Sequence, residues 1–157
     1  MQQSDQKLLD DIVEALIENT KFDLPSEFLQ RWIQANAEEK ISIEEAEEEY
    51  NKSEKGLRYQ LIEAKIVNEN KLSPKFEELK DFSAEMVTSQ LAQFGQNNPS
   101  KEELDSIVMR ILSNEEEVER IHKQLITKKI LDFFKEKAKL KVKKVNFEEF
   151  VKEAYDA

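Results

Sequence analysis

KFDLPSEFLQRW, residues 21–32, is the stretch whose reading decides how the chain folds. Phe22 and Leu24 alternate with charged residues and run straight into Pro25. Ser26 follows, and then Phe28, Leu29 and Trp32 recur at helical spacing. Residue 24 precedes a proline, which pushes it toward extended geometry. Pro25 pre-sets a helical φ at the mouth of the next element. The stretch therefore predicts a helix, a short extended connector and a second helix running to about residue 37. Phe22, Leu24, Pro25, Phe28 and Trp32 form the predicted structural joint, with Phe22, Leu24, Phe28 and Trp32 largely buried and Trp32 beneath the connector.

Working outward, the first helix begins at Ser4 and gathers Leu8, Leu9, Ile12, Val13, Leu16 and Ile17 on one face. It fades at Asn19-Thr20. Downstream, Ser42-Ile43-Glu44-Glu45 is a capping box, in which serine and glutamate side chains satisfy each other's orphan backbone donors. The same pattern returns in Ser100-Lys101-Glu102-Glu103 and Asn146-Phe147-Glu148-Glu149, the last with Val145 and Phe150 at the staple positions. Ser73-Pro74 marks a fourth start. These signals predict helices at 43–70, 74–94, 101–112, 115–138 and 147–155. GQNNPS, residues 95–100, is the strong loop, with Gly95 as a C-cap. KLKVK, residues 139–143, alternates like a strand, and its evident partner is the 21–24 connector, so a two-stranded patch is expected there. No internal repeat is present.

Composition narrows the classes. The 157 residues suit one domain with a real core. Charged residues make up 37%, above the roughly 25% of average soluble proteins, and only 2 Gly and 3 Pro interrupt the chain. Long helices are favoured. A formal charge of −10 argues against general nucleic-acid binding. Residues 120–144 nevertheless hold ten Lys or Arg against two acids, a local net of +8 that leaves −18 elsewhere. Their lysines fall on different sides of a helix and form no phosphate-tracking stripe, so long stems covering apolar neighbours are the simpler reading. Residues 38–54 carry eight Glu against two Lys, a solvated helix start whose acid suits the positive end of the dipole. With no Cys and a single His, His122, neither a disulfide, a nucleophile–base pair nor a zinc site is expected. No glycine-rich phosphate loop, membrane-length apolar run or signal peptide is seen. No catalytic residue, metal or cofactor is assigned, and the abrupt opening reads as a start cut into a larger protein.

Two helices look open to partners. In 74–94, Phe76, Leu79, Phe82, Met86, Val87, Leu91 and Phe94 spread over about half the circumference, wider than the ~100° stripe of a one-sided helix. In 101–112 the stripe is Leu104, Ile107, Val108, Ile111 and Leu112, and Met109 points away from it. Phe82, Met86, Leu91, Phe94 and Met109 are therefore the candidate substrate-binding residues, a soft surface for varied apolar partners. Burial of both edges in a compact bundle is the competing reading.

The order of segments resembles the C-terminal, substrate-binding domain of trigger factor, the ribosome-associated bacterial chaperone. The matching pieces are LLDDIVEALIENTKFDLPSEFLQR, LRYQLIEAKIVNENKLSPKFEELK, AQFGQNNPS and KAKLKVKKVNFEEF, which together span nearly the whole chain. The resemblance implies an all-α, elongated multi-helix body with projecting arms, and a cytoplasmic, ATP-independent chaperone domain that binds nascent or unfolded polypeptides. It also implies that ribosome contact and prolyl isomerase activity reside in domains absent here; the docking loop's Gly-Phe-Arg does not occur. The second helix departs from the family in giving way by residue 38. The alternatives are the helical core of a periplasmic parvulin-type chaperone and a structural homodimerisation domain, with a weak homodimer compatible with any of them.

Overall fold

The computed structural model describes residues 3–96 and 99–155, and every regular element among them is an α-helix. They are α1 (Gln3–Asn19), α2 (Ser26–Asn36), α3 (Ile43–Glu69), α4 (Phe76–Gln93), α5 (Lys101–Leu112), α6 (Glu115–Lys137) and α7 (Phe147–Tyr155). The chain is all-α. It divides into two compact units, one running to Ile66 and resuming at Val142, the other Val67–Lys141.

The helix starts follow local chemistry. Glu45 and Glu103 accept the backbone N–H of Ser42 at 2.7 Å and of Ser100 at 3.0 Å, and the serine hydroxyls accept from the glutamates' own N–H groups. Asn146 and Glu149 repeat the exchange at the head of α7. At α6 the Asn114 side chain accepts from Glu117 N–H at 3.1 Å. The Ser73-Pro74 start is corrected: α4 is capped at Lys75, whose N–H donates to Glu78 at 2.8 Å, so the proline lies in the connector.

Two helix ends show the same six-residue closure with different residues. Gly95, at φ 83°, follows α4; its N–H donates to Ala92 O and that of Gln96 to Leu91 O. After α3 the left-handed position is Lys71, at φ 56°, with Lys71 N–H to Asn68 O and Leu72 N–H to Val67 O. The rest of the expected loop, Asn97-Asn98, lies outside the described residues.

The two-stranded patch does not form: no strand occurs among the described residues. Both segments enter tight local turns instead, Leu24 O accepting from Ser26 N–H at 2.8 Å and Leu140 N–H donating to Ala138 O at 3.1 Å.

In the first unit the buried residues include Ile12 of α1 and Ala46, Tyr50 and Ile62 of α3. The rest of the predicted α1 face, Leu8, Leu9, Val13, Leu16 and Ile17, is half-buried around Ile12. In the second unit α4 packs on both α5 and α6. Its core joins Leu79, Ile121 and Leu125, with Phe82, Met86, Ile111 and Leu112 packed against them. Ser83 is fully buried on α4, its hydroxyl satisfied by Leu79 O at 2.7 Å. Such a small residue is what close helix approach requires.

Candidate functional site

The joint at residues 21–32 is held differently from the sequence expectation. Phe22 and Leu24 are half-buried and Pro25 is exposed. The residue that pins the connector is Arg58 of α3: its guanidinium donates to Phe22 O at 2.7 Å and lies 5.3 Å from the centre of the Phe22 ring. Glu54 holds the same guanidinium from one turn earlier, at 2.8 Å. Phe28 and Trp32 are corrected to exposed, at 57% and 55%. The cause is rotation about α2: Leu29 and Ile33 form the row turned inward and are half-buried, and the Phe28–Trp32 row sits about 100° away.

Trp32 instead forms a wall of a groove of about 650 Å³ within the first unit. Ile33 and Ile41 supply more of its apolar lining, and Glu45, Glu48 and Glu49 of α3 bring carboxylates to it. Gln34 ties the end of α2 to the following connector by donating to Ile41 O at 3.1 Å.

In the second unit the five candidate binding residues separate into two groups. Phe82 and Met86 are half-buried and pack against the Leu79–Ile121–Leu125 cluster. Lys128 of α6 lies 5.4 Å from the centre of the Phe82 ring and pairs with Glu85 at 3.6 Å, so one cation covers an aromatic face and tethers its neighbour. Leu91 is half-buried and, with Ile107, Pro99 and Glu102, lines a separate groove of about 690 Å³ between α4 and α5. Phe94 and Met109 are exposed, at 80% and 52%, and so is Phe76 at the head of α4.

Charge pairing explains the basic α6. Lys129 meets Glu78 at 2.5 Å, Lys128 meets Glu85, and on the other side of α4 Lys80 reaches Asp105 of α5 at 3.2 Å. The Lys129 side chain and the Lys75 backbone N–H together hold the Glu78 carboxyl below the ordinary carboxylate range. In α3, burial and the adjacent Glu63 push the Tyr59 hydroxyl above its ordinary range.

Among the described residues no cluster of three or more His, Cys, Asp or Glu could hold a metal ion, and no helix is long and apolar enough to cross a membrane. Fold and surface together define a class: an all-α domain of capped helices that leaves large apolar side chains open on a highly charged exterior. Residues 4–153 match the family described as "Probable trigger factor, C-terminal domain", and the chain belongs to that family. By family it is a chaperone domain, from a part of trigger factor that is not the isomerase domain. No curated protein and no solved structure matches the chain.

Proposed function

We propose that the chain is an ATP-independent chaperone domain that captures unfolded or nascent polypeptide segments on apolar side chains left open between its helices. The observation that carries this is the exposure of Phe76 on α4, Phe94 at its C-cap and Met109 on α5, beside helices whose other large apolar residues are packed. Leu91 extends that surface into the groove beside α5, and the half-buried Phe82 and Met86 support it from the core side. Apolar burial at about 25 cal/mol per Å² supplies the attraction, and several weak contacts along one client supply avidity. Lys128 and Lys129 of α6 are engaged with α4, which supports polypeptide over nucleic acid as the partner. In this reading the domain works in the cytoplasm, and ribosome docking and prolyl isomerisation belong to other domains of the family's proteins.

The test is the double change Phe94→Ser and Met109→Ser, assayed for suppression of aggregation of an unfolded client. Suppression is expected to fall severalfold at unchanged helical signal and melting temperature, and moderate salt should alter it little in the parent protein. Undiminished suppression would overturn the reading. Phe82→Ser with Met86→Ser is the packing control, expected to unfold the second unit.

A further inference from the structure

Exposure divides the sulfur of this chain into two kinds. The sequence has no cysteine and three methionines, of which Met86 and Met109 lie among the described residues. Resting on the client-capture reading above, we propose that Met109 is a reversible oxidation site, whose conversion to the sulfoxide by a hydroperoxide turns capture down while the fold stays intact. Met109 is 52% exposed, and Ser106, Arg110 and Ser113, its neighbours on the same row of α5, are exposed and polar. The packed side of the helix carries Val108, Ile111 and Leu112 instead. Ser106, one turn before Met109, lines the same groove as Leu91 and Ile107. The open thioether thus stands one helical turn from that groove.

Core packing does not call for a thioether on such a row, whereas soft apolar capture does. Its sulfur lone pair attacks an oxygen of hydrogen peroxide. The S–O bond forms as the O–O bond breaks, and sulfur is oxidised by two electrons. The leaving hydroxide takes the proton from the transferred oxygen and departs as water. Reduction by two thiols restores the thioether, the oxygen departing as water and the thiols as a disulfide. Oxidation turns a flexible apolar side chain into a polar one. On the outward row the new oxygen meets solvent, so α5 keeps its packing and the client contact alone weakens. Met86 is the opposite case. It is half-buried against Leu79, Ile121 and Leu125, and Ser83, one turn earlier, is fully buried. Peroxide reaches it late, and a sulfoxide oxygen there would enter the core. The difference between the two sulfurs opens a range of oxidant dose in which capture falls and the fold is unchanged.

The full chain is titrated with hydrogen peroxide. Peptide mass spectrometry follows Met109 and Met86, dichroism follows helical content, and aggregation of an unfolded client follows capture. Met109 should oxidise severalfold faster than Met86. Suppression should fall severalfold in proportion to Met109 sulfoxide, at unchanged helical signal. Methionine sulfoxide reductases for both epimers, supplied with a dithiol, should restore it. Met109→Leu, compared with its own untreated sample, should lose no suppression over the same dose. Equal oxidation rates at the two residues overturn the proposal, as does loss of helical signal at the dose that oxidises Met109 alone. A treatment loss that persists in Met109→Leu, or that the reductases do not reverse, overturns it too. Full conversion of Met109 without loss of suppression overturns the switch and leaves capture standing, when untreated Phe94→Ser with Met109→Ser is impaired. If that double variant is unimpaired, capture by these residues and its switch fall together.

Discussion

Ile121→Ala tests whether α6 is held on α4 by the packing described above. The side chain is 1% exposed and sits with Leu79 and Leu125, surrounded by Phe82, Met86, Ile111 and Leu112. Truncation removes three carbons, worth about 0.8 kcal/mol each as transfer free energy, or ~2.4 kcal/mol together. A cavity contribution adds to this where neighbours cannot collapse, and Ile→Ala changes in cores cost about 2–5 kcal/mol. The side chains surrounding Ile121 come from three helices already tied by the Lys128–Glu85, Lys129–Glu78 and Lys80–Asp105 pairs, which limits collapse. The expected loss is therefore about 3–4 kcal/mol, against about 0.5–1.5 for Ile121→Val. Urea unfolding followed by far-ultraviolet dichroism measures both. Trp32 emission, reporting from the first unit, shows whether the loss is confined to the second. A loss under about 1 kcal/mol for the alanine variant would refute the packing argument.

Trp32→Ala should cost no more than about 1.5 kcal/mol in urea unfolding, well below the 3–5 kcal/mol of a buried tryptophan, because half the side chain is open. Arg58→Met should cost about 1.5–3 kcal/mol by the same assay, since it removes a charged donor from Phe22 O and the cation above its ring. Lys71→Gly should stabilise by about 1 kcal/mol, seen as a raised melting temperature, by relieving a left-handed residue that carries a Cβ. The Ser100 backbone N–H and hydroxyl hold Glu103 below the ordinary carboxylate range. Its contribution is thus present above the unfolded value of about 4.3 and lost as pH falls through the folded one. Glu103→Gln keeps the cap but should flatten that acid limb in melting curves from neutral pH downward.

Helix starts were legible because a capping box closes within four residues, and every one anticipated at Ser42, Ser100 and Asn146 forms. Ser73-Pro74 misled because Glu78 gives Lys75 the better-satisfied cap two residues on. Burial of Trp32 was not legible: periodicity puts Phe28 with Trp32 and Leu29 with Ile33, but which row faces inward depends on α3, beyond the local window. Arg58 escaped notice for a related reason, since its partner is a backbone carbonyl 36 positions away. Met109 could be placed outward from its angle alone, and it is exposed. Whether the Phe82–Met86 edge is open depends on Lys128 and Ile121 of α6, which no reading of α4 reveals.

The division of the chain fixes an order of assembly during synthesis. Residues 67–141 are contiguous, so α4, α5 and α6 can close on one another as soon as α6 has left the ribosome. The other unit is interrupted by them, its first part made before α4 and its second, with α7, after α6. Before then its opening helices hold contacts among themselves, such as Arg58 with Phe22 and Lys55 with Glu14 at 3.4 Å. A chain stopped after residue 141 should accordingly protect its α4–α6 amides from hydrogen exchange more strongly than those of α1 and α2. Equal protection in both regions would mean that α7 adds nothing to the first unit. A newly made copy thus carries a complete α4–α6 unit while the unit that includes α7 is still short of one of its parts.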